Sequence, residues 1–443
     1  MRTSIEIVKN TKGDYKRLGK RIREKPSEIS QEDYQMLQEL RISYKDALSC
    51  VFSILNQYAN KIDSDSVCTY RIKRIESIIS KIERFPAMQV HRIADIAGCR
   101  CIMTTEKDAI KLYNRLKKNQ GKLPFKIKDN EKNYIEKPKK SGYRSIHLEV
   151  RPNEYPEKII EIQIRSLDQH NWATLVEISD QVFDSKLKEQ GNKYNPDLYK
   201  FHQLLSKPIK ELTMKEKKEV FNISGDYRYI EKIGILFTQN SSELRKKRNE
   251  LGVYKTSFLL VAVGKNNKPY LKGFSNFEDA EKAYFERFFN NTDNENIVLA
   301  YFKKITFDKV SIAYSNYILT YNKALFLIIA IIIDVIVYAY NHYELKVFKR
   351  NYNALLYIFN LLFENIGEEF KEYIKNEKKL NKTKKEEWST SIRTAILLAY
   401  KKFQSMTPQF KKGLLHKIIM GVIKIHIENK YKDIILLLNK LGS

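Results

Sequence analysis

The sequence predicts an α+β fold: a mixed β-sheet flanked by helices, followed by a small α+β domain and a helical C-terminal region. Three observations predict it. Two short runs, at 143–150 and 159–165, alternate apolar and polar residues as half-buried strands do. Segments with helical spacing surround these runs, most clearly at 71–85. From residue 338 onward the pattern is almost entirely helical.

Residues 30–84 contain few glycines or prolines and have apolar residues at helical spacing, so they are predicted to be helical throughout. The clearest part is RIKRIESIISKIERF, whose isoleucines form an apolar stripe. Lys73 and Ser77 are four residues apart and share a polar face, whereas Arg71 falls at or before the helix start. Pro86 ends the helix.

The next segment, HRIADIAGCRCIM, is predicted to form a short helical turn and then, after Gly98, a strand to Met103. A helix over 106–118 and a lysine-rich loop lead to KPKKSGYRSIHLEV, which contains the first alternating strand. After the turn signal RPNEYPE comes the second, IIEIQIR, and then a helix over 168–186. These elements complete a predicted first domain over residues 1–210.

The two alternating strands carry an unusual polar face. If they are neighbours with coinciding faces, their polar side chains form one floor. Its members are Ser145, His147, Glu161, Gln163 and Arg165. The sequence therefore predicts a functional site on this face.

Residues 225–322 are predicted to form a small α+β regulatory domain. IGILF, SFLLVAVG and NIVLAYFKKI have strand patterns, and FEDAEKAYFERFF has a helical one. Residues 323–443 are predicted to form the helical C-terminal region, and no internal repeat has a convincing period.

An almost wholly apolar segment, 324–340, begins that last region. It is about as long as the shortest transmembrane helices, but Asp334 lies in its interior, where a bilayer makes a carboxylate costly. A buried helix is the favoured interpretation. A membrane span stays open, with Lys346, Lys349 and Arg350 as its cytoplasmic flank.

Charge and cysteine content restrict the function classes. The chain has 80 Lys and Arg against 53 Asp and Glu, a formal charge of +27, which predicts a polyanionic partner such as nucleotides, RNA or an anionic membrane surface. A lysine-rich solvated surface is the plainer alternative. The four cysteines form no CxxC pair, which disfavours a disulfide scaffold or a zinc site. The N-terminus lacks the apolar core of a signal peptide, so a reducing, cytoplasmic location is expected.

The chain contains neither GxxxxGK[ST] nor GxGxxG, so no P-loop or Rossmann nucleotide site is predicted. The loop around Gly142 is instead strongly basic, with residues suited to neutralise phosphates. They are Lys137, Lys139, Lys140 and Arg144. Tyr143 beside them is suited to stack on a base.

Asp95 and Glu161 are hard oxygen donors near predicted strand edges, as Mg²⁺ bound to a nucleotide polyphosphate requires. Each has a plainer explanation, Asp95 as a helix cap and Glu161 as an exposed strand residue. Their position on either side of the basic loop favours the metal-binding interpretation.

Four motifs in order carry a resemblance to a known family. RIKRIESI, DIAGCR, KPKKSGYRSIH and EIQIRS followed by QHNWA resemble the synthetase domain of RelA/SpoT-type alarmone synthetases. The resemblance covers about residues 40–190. It implies a nucleotidyltransferase-like synthetase fold and the transfer of the β,γ-pyrophosphate of ATP to a ribose 3′-hydroxyl, with Mg²⁺.

The resemblance also implies roles on the donor side. Arg71 and Arg100 would hold the adenine of ATP between their guanidinium planes, and Lys73 and Ser77 would hold its phosphates. The two carboxylates would complete the catalytic set: Asp95 would ligate Mg²⁺, and Glu161 would bind metal or act as the general base.

On the acceptor side, the resemblance implies that Tyr143 stacks on the acceptor base. The residues implied for phosphate and base contacts are Lys139, Arg144, His147 and Gln163. Family members often have Asn before the Gly-Tyr pair and a Glu-His pair in the next helix, whereas Ser141 and Glu177-Ile178 stand here. These departures put the acceptor in doubt.

Three functions therefore stay open. The acceptor is by default GDP or GTP, giving (p)ppGpp. The first alternative is a toxin that pyrophosphorylates the 3′-CCA end of tRNA, as some small members of the family do. The second is a non-enzymatic RNA- or membrane-binding protein on a degenerate synthetase fold.

Regulation is a further expectation. No histidine-aspartate hydrolase domain precedes the synthetase motifs, so the chain is not expected to degrade its product. Some toxic members carry a fused inhibitory domain, to which residues 225–325 look similar, and Tyr314 and Tyr317 would then occupy the adenine site. The plainer interpretation is that both are strand-end aromatics. The helical C-terminus is a candidate contact for an activating partner, a second copy or a membrane.

Overall fold

The computed structural model describes residues 10–26, 28–233, 256–263, 269–289, 296–303, 323–342 and 344, and the following account concerns these residues. They belong to two compact units. The first is drawn from residues 1–194 and 243–322, and the second from residues 195–242 and 323–443.

Helices and strands alternate irregularly in the first unit, whereas the second is helical. The helices are α1 (Lys12–Glu24), α2 (Gln31–Ile42), α3 (Lys45–Ile62), α4 (Ile75–Arg84), α5 (Glu106–Lys118), α6 (Leu167–Phe183), α7 (Leu187–Gln190), α8 (Pro196–Leu205), α9 (Met214–Asp226), α10 (Phe277–Phe289) and α11 (Lys323–Asn341). The strands are β1 (Val67–Ile72), β2 (Ala97–Met103), β3 (Phe125–Ile127), β4 (Lys132–Asn133), β5 (Ile146–Pro152), β6 (Ile160–Ser166), β7 (Phe258–Val263), β8 (Pro269–Phe274) and β9 (Asn296–Tyr301).

The described strands form one mixed sheet in the order β3-β5-β6-β2-β1-β9-β7-β8, with β4 paired to β5. Strands β2 and β6 are parallel, and the remaining pairs are antiparallel. Helices α3 and α5 pack on this sheet. The predicted α+β class, a mixed sheet flanked by helices, is therefore confirmed.

The alternating pattern of β5 and β6 determines which face is buried. Ile146, Leu148 and Val150 on β5 are completely buried, as are Ile162 and Ile164 on β6, and the residues between them are less buried. Because successive side chains on a strand point to opposite faces, the polar residues of both strands share the other face. Helix α6 follows β6 directly, and a capping box at Ser166 fixes its start.

The prediction that residues 30–84 are entirely helical is wrong, because strand β1 lies within them. Its sequence, VCTYRI, is buried on both faces except at Arg71, so it has no alternation to distinguish it from a helix. Helix α4 begins only at Ile75, which places Arg71 on the strand and Lys73 in the connection.

The strand patterns that become β7 and β9 are predicted to belong to a separate domain over 225–322, but in the structure these two strands and β8 extend the sheet of the first unit. Strand β9 pairs with β1, β7 with β9 and β8 with β7. The alternation of apolar and polar residues along a segment identifies a strand but does not show which sheet the strand joins. The sequence pattern therefore could not show that these strands extend the first unit. The predicted strand IGILF lies outside the described residues except for Ile233, and Tyr314 and Tyr317 lie wholly outside them.

Helix α11 coincides with the apolar segment 324–340 and packs against α9 within the second unit. Ile328, Ile331 and Val335 are completely buried, and the ammonium of Lys217 lies 2.7 Å from the carboxylate of Asp334. Within the described ranges, no helix has the length and apolarity that crossing a membrane requires. The rest of the predicted C-terminal helical region, from residue 345, lies outside those ranges.

Candidate active site

The strand register places predicted site residues from separate segments on one face of the sheet. His147 on β5 is directly opposite Gln163 on β6, which in turn is opposite Arg100 on β2. Two residues before Gln163 on β6, Glu161 is opposite Gly98 on β2, and Gly98 is in turn opposite Arg71 on β1. Directly opposite residues share a face, so the predicted polar floor exists and extends across four strands.

Glu161 is the centre of a hydrogen-bonded chain on this floor. Its Oε1 lies 2.9 Å from Nδ1 of His147, and its Oε2 accepts a 2.8 Å hydrogen bond from Nε2 of Gln163. Nε2 of His147 lies 2.8 Å from the hydroxyl of Tyr143. Because an ionised carboxylate can only accept, Nδ1 of His147 donates to Glu161.

The same contacts keep Glu161 ionised. Burial raises the pKa of Glu161, and the nearby charge of Asp95 adds to this effect. The hydrogen bond from His147, its charge interaction with Glu161 and the hydrogen bond from Gln163 outweigh both, so the pKa lies below its ordinary value. The carboxylate is therefore deprotonated at neutral pH and still has lone pairs that can accept another proton donor.

Gln163 has a fixed orientation. Its Oε1 lies 3.4 Å from Nε of Arg100 and 3.3 Å from Nη2 of Arg165, and both of these nitrogens donate. The amide nitrogen must therefore face Glu161. This arrangement links the two guanidinium groups to the carboxylate through one side chain.

Asp95 is the second carboxylate of the site and binds two lysines. Nζ of Lys73 lies 2.8 Å from one oxygen, and Nζ of Lys81 lies 2.7 Å from the other. Burial alone would raise the pKa of Asp95, but the two ammonium charges outweigh it and lower the pKa to about 2. Lys81 is on α4, one turn after Ser77, and sequence reasoning missed it because it occupies no recognised motif.

Three arginines give the floor a strong positive charge. Burial lowers the pKa of Arg100 to about 9, and the charges of Arg165 and Arg71 contribute to this shift. Arg165 is only 3% exposed, and its Nε has no hydrogen-bond partner among the described residues. A buried guanidinium without a full set of acceptors favours an anionic ligand, and phosphate oxygens match its geometry.

A basic and aromatic corner adjoins His147. The basic loop turns at Gly142, whose φ of 92° is readily adopted only by glycine. This turn places Nζ of Lys139 4.7 Å from the ring centre of Tyr134 and 5.1 Å from that of Tyr143. Arg144 is half-buried, with its Nε lacking a partner among the described residues. Sequence reasoning missed Tyr134, because only the pairing of β4 with β5 brings it here.

The carboxylates fit a metal ion that arrives with a nucleotide. Among the described residues, no group of three or more His, Cys, Asp or Glu side chains could hold a metal ion. Mg²⁺ in nucleotide sites is commonly bound by one or two carboxylates, with substrate phosphates and water as the other ligands. Asp95 and Glu161 are both ionised, and the charge of Asp95 raises the pKa of Glu161, so the two carboxylates match this donor set.

Comparison with known proteins places these residues in one family. Residues 70–180 match the region found in RelA and SpoT proteins. The chain is 35% identical over 144 residues to the GTP pyrophosphokinase YwaC of Bacillus subtilis (strain 168), covering 29% of this chain and 66% of that protein. It is 30% identical over 166 residues to the GTP pyrophosphokinase YjbM of the same organism, covering 35% of this chain and 73% of that protein.

Among solved structures, the small alarmone synthetase 2 from Bacillus subtilis is 29% identical, with a TM-score of 0.31, over 39% of this chain and 89% of that one. Residues 70–180, which match the RelA and SpoT region, include the end of β1 and all of β2, β5 and β6, the strands that carry the floor described above. The chain belongs to the RelA/SpoT family.

Proposed function

We propose that the protein is an ATP-dependent pyrophosphotransferase that moves the β,γ-pyrophosphate of ATP to the ribose 3′-hydroxyl of a guanine nucleotide, GDP or GTP. The observation that supports it most is the ionised Glu161 beside Asp95, on a floor lined by arginines, inside the region matched to RelA and SpoT proteins. The two related Bacillus proteins are both called GTP pyrophosphokinases.

The donor is assigned to the β1, β2 and α4 side of the floor. Arg71 and Arg100 lie on adjacent strands and would hold the adenine of ATP, while Lys73 and Ser77 would hold its phosphates. Lys73 is ion-paired with Asp95 in the structure, so the incoming phosphates would compete for this ammonium. Asp95 and Glu161 would hold the Mg²⁺ that accompanies ATP, and this ion would neutralise charge that develops on the phosphates.

The acceptor is assigned to the β5 side and the basic corner. Tyr143 would stack on the guanine base, and Lys139 and Arg144 would neutralise the phosphates of the nucleotide. Gln163 and His147 hold the two oxygens of Glu161, so the carboxylate is oriented before either substrate arrives. Preorganisation of this kind lowers the cost of reaching the transition state.

In the proposed step, Glu161 accepts the proton of the ribose 3′-hydroxyl while the oxygen of that hydroxyl attacks the β-phosphorus of ATP. A new O3′–Pβ bond forms, and the bond from Pβ to the oxygen that bridges it to Pα breaks. The electron pair goes to that oxygen, and AMP leaves. The guanidinium groups of Arg71 and Arg100 are placed to stabilise negative charge during this transfer.

A second candidate acceptor is the 3′ end of tRNA. The formal charge of +27 favours a polyanion, since nucleic-acid phosphates are bound mainly by Lys and Arg. On α6, Ile178 is only 1% exposed and belongs to the core, so this position offers no polar group to a guanine base. Ser141, which stands where relatives often have Asn, has a shorter side chain at the turn of the basic corner.

The catalytic assignment can be tested with a pair of matched variants. Glu161→Gln keeps the shape of the side chain but removes the proton acceptor, and a general base typically contributes about 10²–10⁴-fold to the rate. Glu149 is the control, because it is directly opposite Glu161 but bonds to Lys128 at 2.5 Å instead of His147. We expect Glu161→Gln to lose at least a hundredfold in transfer rate, and Glu149→Gln to stay within about fivefold of the wild type. Equal losses in the two variants would refute the assignment.

A further inference from the structure

The end of β1 and its connection to α4 carry two predicted donor residues, Arg71 on the strand and Lys73 in the connection. Elements distant in sequence contact this backbone. Strand β1 pairs with β2 along its whole length, but its pairing with β9 runs only from Cys68 to Tyr70. Beyond Tyr70 the backbone therefore needs another partner on that side.

Helix α10 supplies that partner. The backbone N–H of Ile72 donates a 3.1 Å hydrogen bond to the hydroxyl of Tyr284, which is completely buried. Residues 72 and 284 are more than 200 positions apart, and α10 belongs to the segment that the sequence assigned to a separate domain. The hydroxyl replaces a strand partner at the point where the pairing of β1 with β9 ends.

A second contact holds the next backbone group. The Nε of Arg41 on α2 donates a 2.8 Å hydrogen bond to the carbonyl of Lys73. Its guanidinium carbon lies 4.3 Å from the ring centre of Phe288 on α10, and Gln38 donates a 3.1 Å hydrogen bond to the carbonyl of Phe288. Helix α10 therefore fixes Ile72 directly and Lys73 through Arg41.

The residue that makes this contact is a buried arginine, which costs more free energy to bury than an apolar residue does. Arg41 is 6% exposed and makes no salt bridge within the part of the chain that the structure describes. Burial lowers its pKa to about 10, so the protein bears a cost to keep this cation buried. An apolar residue of similar size would fill the space at a lower cost, but it could not hold the carbonyl of Lys73.

We propose that Tyr284, Phe288 and Arg41 act as positioning residues for the ATP site, by fixing the backbone from Arg71 to Lys73 so that both side chains project onto the floor. This inference rests on the proposed function. It gives α10 and β9 an indirect part in donor binding, since both support the strand that carries the donor residues.

The test compares two buried tyrosines of one aromatic cluster. The ring centres of Tyr70 and Tyr284 are 5.1 Å apart, but the Tyr70 hydroxyl has no hydrogen-bond partner among the described residues. Tyr284→Phe therefore removes the hydrogen bond to Ile72, whereas Tyr70→Phe removes no hydrogen bond to any residue that the structure describes. Both variants keep the ring and its packing, and thermal unfolding of the full chain checks that both are folded.

The readouts separate donor binding from the rest of the reaction. Binding of ATP with a methylene group between its α- and β-phosphates is measured by calorimetry, and transfer kinetics give KM for each substrate and kcat. For Tyr284→Phe we expect at least fivefold weaker binding of the analogue and a matching rise in KM for ATP. The KM for the acceptor, and kcat at saturating ATP, should change less than twofold. Tyr70→Phe should change every value less than twofold.

Arg41→Met provides an independent variant, because it keeps a long side chain over Phe288 but lacks the donor to Lys73. It should show the same selective rise in KM for ATP. If Tyr284→Phe and Arg41→Met bind the analogue as Tyr70→Phe does, the positioning role is refuted while the proposed function stands. A folded wild-type protein that neither binds the analogue nor transfers pyrophosphate would overturn both.

Discussion

Replacing Asp95 by Asn tests whether the paired lysines hold an ionised carboxylate at the site. The Asp95 side chain is 25% exposed and lies within 2.8 Å of two ammonium groups. Its pKa falls from 3.8 to about 2, which at about 1.36 kcal/mol per pH unit corresponds to about 2.5 kcal/mol of stability. Because the pKa is lower in the folded protein, this contribution is present above pH 4 and is lost as the pH falls towards 2.

We therefore expect Asp95→Asn to lower the free energy of unfolding of the first unit by about 2 kcal/mol at pH 7, and by much less near pH 2.5. Urea unfolding at both pH values measures this difference. The fluorescence of Trp172, which is buried on α6, reports on the first unit if the second tryptophan of the chain, Trp388, is replaced by Phe in both proteins. A loss of the same size at both pH values, or no loss at pH 7, would refute the reasoning.

Two further predictions concern packing and the second unit. Gly98→Ala places a Cβ 3.0 Å from the backbone oxygen of Glu161. We therefore expect the free energy of unfolding to fall by about 1–3 kcal/mol and the transfer rate to drop. Unchanged values in urea unfolding and in the transfer assay would contradict this prediction. Lys217→Met removes the partner of Asp334, whose side chain is 41% exposed, so water replaces the contact and the loss should stay below about 1 kcal/mol. A loss of several kcal/mol on thermal unfolding would show that this pair behaves as a buried ion pair.

The sequence predicted the elements whose pattern depends on local periodicity. The helices at 106–118 and 277–289 match α5 and α10, and the two alternating strands match β5 and β6 within a few residues. Strand β1 was missed because a strand buried on both faces lacks alternation. Strand β8 was missed as well, because PYLKGF contains both proline and glycine and therefore has a weak strand signal.

The sequence located residues whose position depends on their own strand, and it missed residues whose position depends on another element. His147, Glu161 and Gln163 share a face because of alternation along two neighbouring strands, which the sequence displays. Lys81 and Tyr134 contribute through contacts with residues from other segments, and no local sequence pattern indicates such contacts. The same holds for Tyr284, which reaches Ile72 only because β9 joins the sheet.

The most direct test of the proposed function is a transfer assay with ATP labelled in its β- and γ-phosphates, offered GDP, GTP and deacylated tRNA in parallel. The account predicts label on the guanine nucleotide, AMP formed in equal amount, and loss of both products in Glu161→Gln. Label on tRNA alone would keep the pyrophosphotransfer but contradict the assigned acceptor. Label on none of the three, from a folded protein that binds the ATP analogue, would contradict the proposed transfer itself.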